Sequence, residues 1–182
     1  MQRAAPQHNK VCRRRPTSQF PYHRKTHQRQ ALMVNGTNLF AGTFWHGVFL
    51  STNSGTNWTA ANTGLTNPFV YALSVSCANL FAGANDEEIF LSTNNGIGWT
   101  KIKAGSARCN ISAFAASDSN IFAGSCSGVT LSTNGGRSWN AVNTGFIKSN
   151  VDVLVVHGKY LFAGTRWGVC RRPLSEIIDS KK

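Results

Sequence analysis

Carboxylates are scarce in this chain, and their scarcity limits the chemistry it can perform. Against 19 Lys and Arg there are only 7 Asp and Glu. Asp86, Glu87 and Glu88 are consecutive, and Glu176 and Asp179 stand near the C-terminus. A glycosidase needs two carboxylates placed across a scissile bond, and this distribution offers no convergent pair. The five cysteines, Cys12, Cys77, Cys109, Cys126 and Cys170, are odd in number and widely spaced, with no C-x-x-C. A zinc site wants paired ligands at short spacing, so they read as scattered buried or half-buried thiols. There is no Gly-x-Ser-x-Gly, no phosphate loop and no His-based metal pattern. No catalytic residue, metal ligand or cofactor is therefore assigned. No apolar run reaches the ~18 residues of a membrane-spanning helix, and no signal-peptide apolar region is visible. Nor does any window hold the apolar period of an amphipathic helix.

Basic charge is abundant but uneven. Residues 1–30 carry eight Lys and Arg and no acid, which leaves 11 basic against 7 acidic groups for the rest. Residues 1–29 have few apolar positions, so disorder is expected there. Three readings of this tail compete: a solvated extension without function, an arm for nucleic acid or another anionic surface, and a targeting peptide. Nucleic-acid binding is expected only through this tail.

What the chain has instead is repetition. "LSTNSGTNW" ends at Trp58, "LSTNNGIGW" at Trp99 and "LSTNGGRSW" at Trp139, at spacings of 41 and 40. Upstream, "NLFAG" ends at Gly42 and Gly83, "NIFAG" at Gly124 and "YLFAG" at Gly164. Before these stand "ALMV" at 31–34, "VYALSVS" at 70–76, "ISAFAAS" at 111–117 and "VDVLVVH" at 151–157. Each run is short, apolar or alternating, and bounded by Gly, Asn, Ser or Thr, as strands are. The predicted unit is a four-stranded antiparallel meander, A-B-C-D, of about 40 residues, the size of a β-propeller blade. The expected fold is thus all-β: blades at about 30–62, 69–103, 109–142 and 151–174, the last incomplete, then a polar tail over 175–182. In such blades the A–B and C–D turns share one face and the B–C and D–A loops share the other.

The nine-residue motif resembles the Asp-box, or BNR repeat, Ser-x-Asp-x-Gly-x-x-Trp, of sialidases, related glycoside hydrolases and many non-enzymatic bacterial propellers. The resemblance covers residues 30–174. Its structural positions fall on Ser51, Asn53, Gly55 and Trp58, on Ser92, Asn94, Gly96 and Trp99, and on Ser132, Asn134, Gly136 and Trp139. Asn replaces the usual Asp in all three copies. Asn can make the same side-chain-to-backbone turn bonds, so the fold reading stands without a calcium or acid–base role there. Glycine supplies positive φ, and the Trp opens strand D and covers the blade.

Any specificity should lie where the copies differ, on the B–C loops: Phe44, Trp45 and His46 in the first blade, Asp86 and Glu87 in the second, Arg166 and Trp167 in the fourth. Aromatic residues and Arg are favoured at binding surfaces. The resemblance implies a non-catalytic scaffold for a protein or carbohydrate ligand, extracellular or on a bacterial cell surface. The runner-up is a fragment of a sialidase-like glycoside hydrolase whose catalytic residues lie outside this chain. The Arg-Ile-Pro signature of sialidases is absent. Four blades, one incomplete, are expected to be the end of a larger propeller whose earlier blades are missing or on a partner, in preference to a distorted four-blade ring. Open blade edges predict self-association.

Overall fold

A computed structural model of the chain describes residues 31–105, 108–143 and 150–179. The basic segment 1–29, with its expected disorder, lies outside the described residues. Four antiparallel meanders follow one another along the chain. The first holds β1 (Ala31–Asn35), β2 (Asn38–Gly42), β3 (Val48–Ser51) and β4 (Thr59–Ala60). The second holds β5 (Val70–Ser76), β6 (Asn79–Ala84), β7 (Glu88–Ser92) and β8 (Thr100–Lys103). The third holds β9 (Ala113–Ser117), β10 (Asn120–Ser125), β11 (Gly128–Ser132) and β12 (Asn140–Ala141). The fourth has three strands, β13 (Val151–His157), β14 (Tyr160–Thr165) and β15 (Gly168–Pro173). These sheets are the blades of a β-propeller.

The D strands of the first and third blades pair over only two residues. Beyond Ala60 the chain bonds back to the third strand, Ala61 N–H donating to the Val48 carbonyl at 2.9 Å. The A strand of the third blade likewise begins at Ala113, later than its apolar run at 111. Ile111 N–H is taken by the Ala84 carbonyl at 3.0 Å and Ser112 N–H by the Gly124 carbonyl at 2.8 Å.

Blades stack in sequence order, β1 against β5, β5 against β9 and β9 against β13. Alternation decides which side chain enters which interface. In the second blade, Leu80, Ala82 and Phe90 pack toward the first blade with Met33, Phe40 and Val48. On its other side Phe81 and Ile89 pack toward the third blade with Ile111 and Ile121. The third and fourth blades close over Phe122, Val129, Leu131, Leu154 and Leu161. The "FAG" glycines exist for this stacking. A Cβ on Gly42, Gly83 or Gly124 would come within 2.5 to 2.6 Å of Val70, Ile111 or Val151, the β-branched residue of the following blade.

One boundary differs from expectation. Residues read as the start of a polar tail form a short helix, α1 (Leu174–Ile178), whose Ile177 is fully buried among the third and fourth blades. Leu174 N–H donates to the Lys159 carbonyl at 2.9 Å, seating the helix against the fourth blade. Ile177 thus covers apolar surface on a blade that has no box Trp.

Candidate functional site

The two ends of the blades are built differently. At one end stand the box turns, and each is tied by its own Ser and Asn. Ser51 Oγ accepts from Gly55 N–H and donates to Asn53 Oδ1, which also accepts from Asn57 N–H. Ser92 and Asn94 do the same with Gly96 and Gly98, and Ser132 and Asn134 with Gly136 and Ser138. These nine bonds span 2.8 to 3.1 Å. An amide oxygen does here what a carboxylate oxygen would. Trp58 and Trp139 donate their indole N–H to the box glycine carbonyls, whereas Trp99 reaches across to the Ala61 carbonyl of the first blade at 2.8 Å. Asn35 Nδ2, at the end of β1 beside the first A–B turn, donates to Asn95 Oδ1 in the second box, so these turns share an end.

The B–C loops lie at the other end. In the first, Thr43 Oγ1 donates to the Gly47 carbonyl and accepts from His46 N–H, both at 3.0 Å. Asn62 clasps the loop from the end of strand D, accepting from Val48 N–H and donating to the His46 carbonyl. Asn143 repeats that clasp on the third blade, with Val129 and Ser127. The "Asn-Thr-Gly" after the first and third D strands carried this signal, which the sequence reading missed; the second blade has Lys103-Ala104-Gly105 there. The first loop holds Phe44 half-buried and leaves Trp45 and His46 exposed. The Phe44 ring stands edge-on to Trp45, Phe69 and Tyr71, with centroids 5.3, 5.2 and 5.7 Å away. Trp45 packs on Phe69 at 4.6 Å. Such pairings hold aromatic rings in place.

This aromatic group walls a cleft of about 400 Å³. Phe44 and Tyr71 face Asn110, Ser112 and Cys126 from the third blade and Asn150 and Asp152 from the fourth. All four blades therefore meet in one cleft, at the end away from the box turns. A second groove, about 460 Å³, runs beside Trp99, Thr63 and Arg137 and is built by the first three blades alone.

Of the residues expected on the ligand face, Phe44 lines the cleft and Trp45 buttresses it. His46 and Asp86 are exposed on their loops, as are Arg166 and Trp167 at the fourth blade, and these four do not line the cleft. Glu87 needs correction. It is 3% exposed and accepts from Ser125 Oγ at 2.9 Å. Its backbone φ of +53°, following Asp86 at +57°, turns the side chain inward. Its N–H donates to the Cys109 carbonyl and its carbonyl accepts from Ala104 N–H, so Glu87 fastens the second blade to the third. Glu88 pairs with Lys101 and accepts from Asn67 Nδ2. The cysteine reading also changes. Cys109 and Cys126 form a disulfide with their Cα atoms 5.5 Å apart, while Cys77 and Cys170 are free thiols. Tyr71, Asn110, Ser112, Asn150 and Asp152 went unpredicted as a group, because they sit at or just before A strands, where the repeat is least regular.

No family model matches the sequence, and no curated protein matches it. Solved structures share the fold. The computationally designed Ika4 protein matches with a TM-score of 0.64 at 14% identity, over 83% of this chain and 93% of that one. The designed Ika8 protein matches with a TM-score of 0.64 at 16% identity, over 80% of this chain and 45% of that one. An ancestral GH74 enzyme matches with a TM-score of 0.62 at 20% identity, over 77% of this chain and 22% of that one. The chain thus spans less than half of the latter two proteins.

Burial pushes the Tyr71 phenol above its ordinary value of 10.0, and hydrogen bonds with Asn110 and Asn85 partly offset the rise. The folded state therefore holds this proton more tightly than the unfolded chain. Its contribution is fully present below pH 10.0 and is lost as pH climbs through the folded-state value. Tyr71→Phe is expected to flatten the alkaline limb of stability against pH above that point. An unchanged limb would mean the phenol is solvated.

Proposed function

We propose that this chain is a non-catalytic propeller scaffold that takes a neutral, polar ligand, a glycan or a protein loop, in the cleft where its four blades meet. The observation that carries this reading is the makeup of that cleft. An aromatic wall from the first two blades faces the amides of Asn110 and Asn150 and the hydroxyl of Ser112, with Asp152 beside them, from the third and fourth blades. Aromatic faces stack on sugar rings and on apolar side chains, while amides and hydroxyls satisfy a ligand's own hydroxyls or backbone groups. The likeness to BNR propellers supports a secreted or cell-surface setting, and the Cys109–Cys126 bridge is consistent with an oxidising compartment.

A glycan array with the intact chain, followed by titration of the best ligand, tests the reading. Trp45→Ala and Phe44→Ala should each weaken binding by about 10-fold or more, as loss of an aromatic anchor does. Affinity indifferent to both changes would remove the cleft from consideration. The fold shared with a GH74 enzyme favours a second reading, a piece of a glycoside hydrolase. Against it, Asp152 is the sole carboxylate lining the cleft among the described residues, where hydrolysis calls for two. Turnover of a chromogenic glycoside, lost on Asp152→Asn, would establish that second reading.

A further inference from the structure

Each position of the blade occurs four times, and burial of the four copies is unequal in a regular way. On the side facing the following blade, Val48, Ile89 and Val129 are fully buried, but their fourth copy, Val169, is 74% exposed. Phe40, Phe81 and Phe122 are fully buried, and Phe162 is half-buried. Met33 and Ala115 are buried where Val155 is exposed. On the side facing the preceding blade the odd copy is the first. Leu80, Ile121 and Leu161 are buried where Leu39 is half-buried, and Leu32 is 75% exposed where Leu154 is 6%. The glycines agree. A Cβ on Gly96 or Gly136 would meet the ring of Phe40 or Phe81 in the preceding blade, whereas on Gly55 it would meet only its own blade, at 3.7 Å. A Cβ on Gly164 would meet only Val153 of its own blade, at 3.4 Å.

The chain therefore ends in two apolar faces that do not meet each other. They are the two halves of an interface that the same chain already makes three times internally. We propose that a second copy of this chain covers both. The fourth-blade face of one copy, with Val153, Val155, Phe162 and Val169, docks on the first-blade face of the other, with Leu32, Val34, Leu39 and Gly55. A two-fold axis repeats the contact and closes a ring of eight blades, within the range that propellers adopt. A second copy is the fitting occupant because it presents both complementary faces with the spacing and shape of the internal contacts. The exposure at both ends is otherwise unusual, since monomers rarely leave such contiguous apolar surface in water.

The test is solution mass by light scattering on the full chain. The expected species is a dimer, twice 19.8 kDa. Leu32→Asp and Val169→Asp, each on an exposed side chain, should give folded monomers by circular dichroism, with the dissociation constant raised by roughly 100-fold or more, as for an unpaired charge buried in an interface. Mixing the two variants should restore dimers, because the mixed pair retains one undamaged interface. A monomeric wild-type chain at all concentrations overturns the proposal. Open-ended assemblies overturn the closed ring, and a mixture that stays monomeric overturns the head-to-tail arrangement.

Discussion

Phe81→Ala is expected to lower the free energy of unfolding by about 3–5 kcal/mol, the range for deleting a fully buried aromatic side chain. Phe81 is fully buried between the second and third blades. Its ring lies 6.2 Å from that of Phe114 and 6.4 Å from that of Trp139. Its edge also occupies the space that a side chain on Gly136 would need. Gly136 has φ of +87°, and a Cβ there would fall 2.3 Å from Phe81 Cε1. Gly136→Ala should therefore combine two penalties. The left-handed backbone disfavours Ala by about 1–2 kcal/mol, and overpacking against the ring adds about 1–3 kcal/mol. The pair should couple. Once Phe81 is Ala, the new methyl has room, so the double variant should lie above the sum of the singles by about 1–3 kcal/mol. Gly55→Ala is the control, since its φ is +82° but its nearest neighbour is 3.7 Å away. It should show the backbone penalty alone. Urea midpoints at one fixed protein concentration decide this. Strict additivity of the pair, or equal losses at Gly55 and Gly136, would show that the box glycine serves backbone conformation only.

Replacing both Cys109 and Cys126 by Ser is expected to destabilise the chain by about 3 kcal/mol, the chain-entropy value for a loop of this size. The bridge spans 17 residues. It joins the segment entering the third blade to the B–C loop of that same blade. Cys126 lines the cleft, and the Cys109 carbonyl holds the backbone of Glu87. A reductant should lower the wild-type melting temperature and leave the double variant unmoved. If reductant leaves the wild type unmoved as well, the bridge makes no contribution in solution. The same double variant should weaken ligand binding in the cleft, because the Cys126 loop forms part of its wall.

The period of 40 to 41 residues was enough to place the blades and most of their strands. "VYALSVS" and "VDVLVVH" coincide with β5 and β13, because alternation of apolar residues over seven positions has few other ways to fold. The box turns were equally legible, since Ser, Asn, Gly and Trp act through bonds that close within a few residues. Strand D pairs over only two residues in the first and third blades. Its apolar pattern runs to Asn62 and Asn143, but those side chains turn back to clasp a loop 14 residues away. The polar tail opens with a helix that its composition did not announce, where Ile177 and Ile178, two apolar residues in polar company, found a cluster to enter.

The candidate site was legible only in part, and the reason is distance along the chain. Phe44 and Trp45 stood out as large aromatics in a loop that the repeat leaves free to vary. Glu87 stood out for the same reason, yet it faces inward, because two consecutive residues at positive φ reverse the direction of its side chain. Nothing in "ANDEEIF" marks that reversal, and nothing near Cys109 marks Cys126 as its partner. By itself the sequence determined the repeating unit, its strands and its turns, all interactions that close within one blade of about 40 residues. Tertiary structure alone decided which loop residues converge on the cleft and which apolar faces stay open. Those depend on how one blade is seated against the next, and that seating is set by contacts between residues 27 to 60 positions apart.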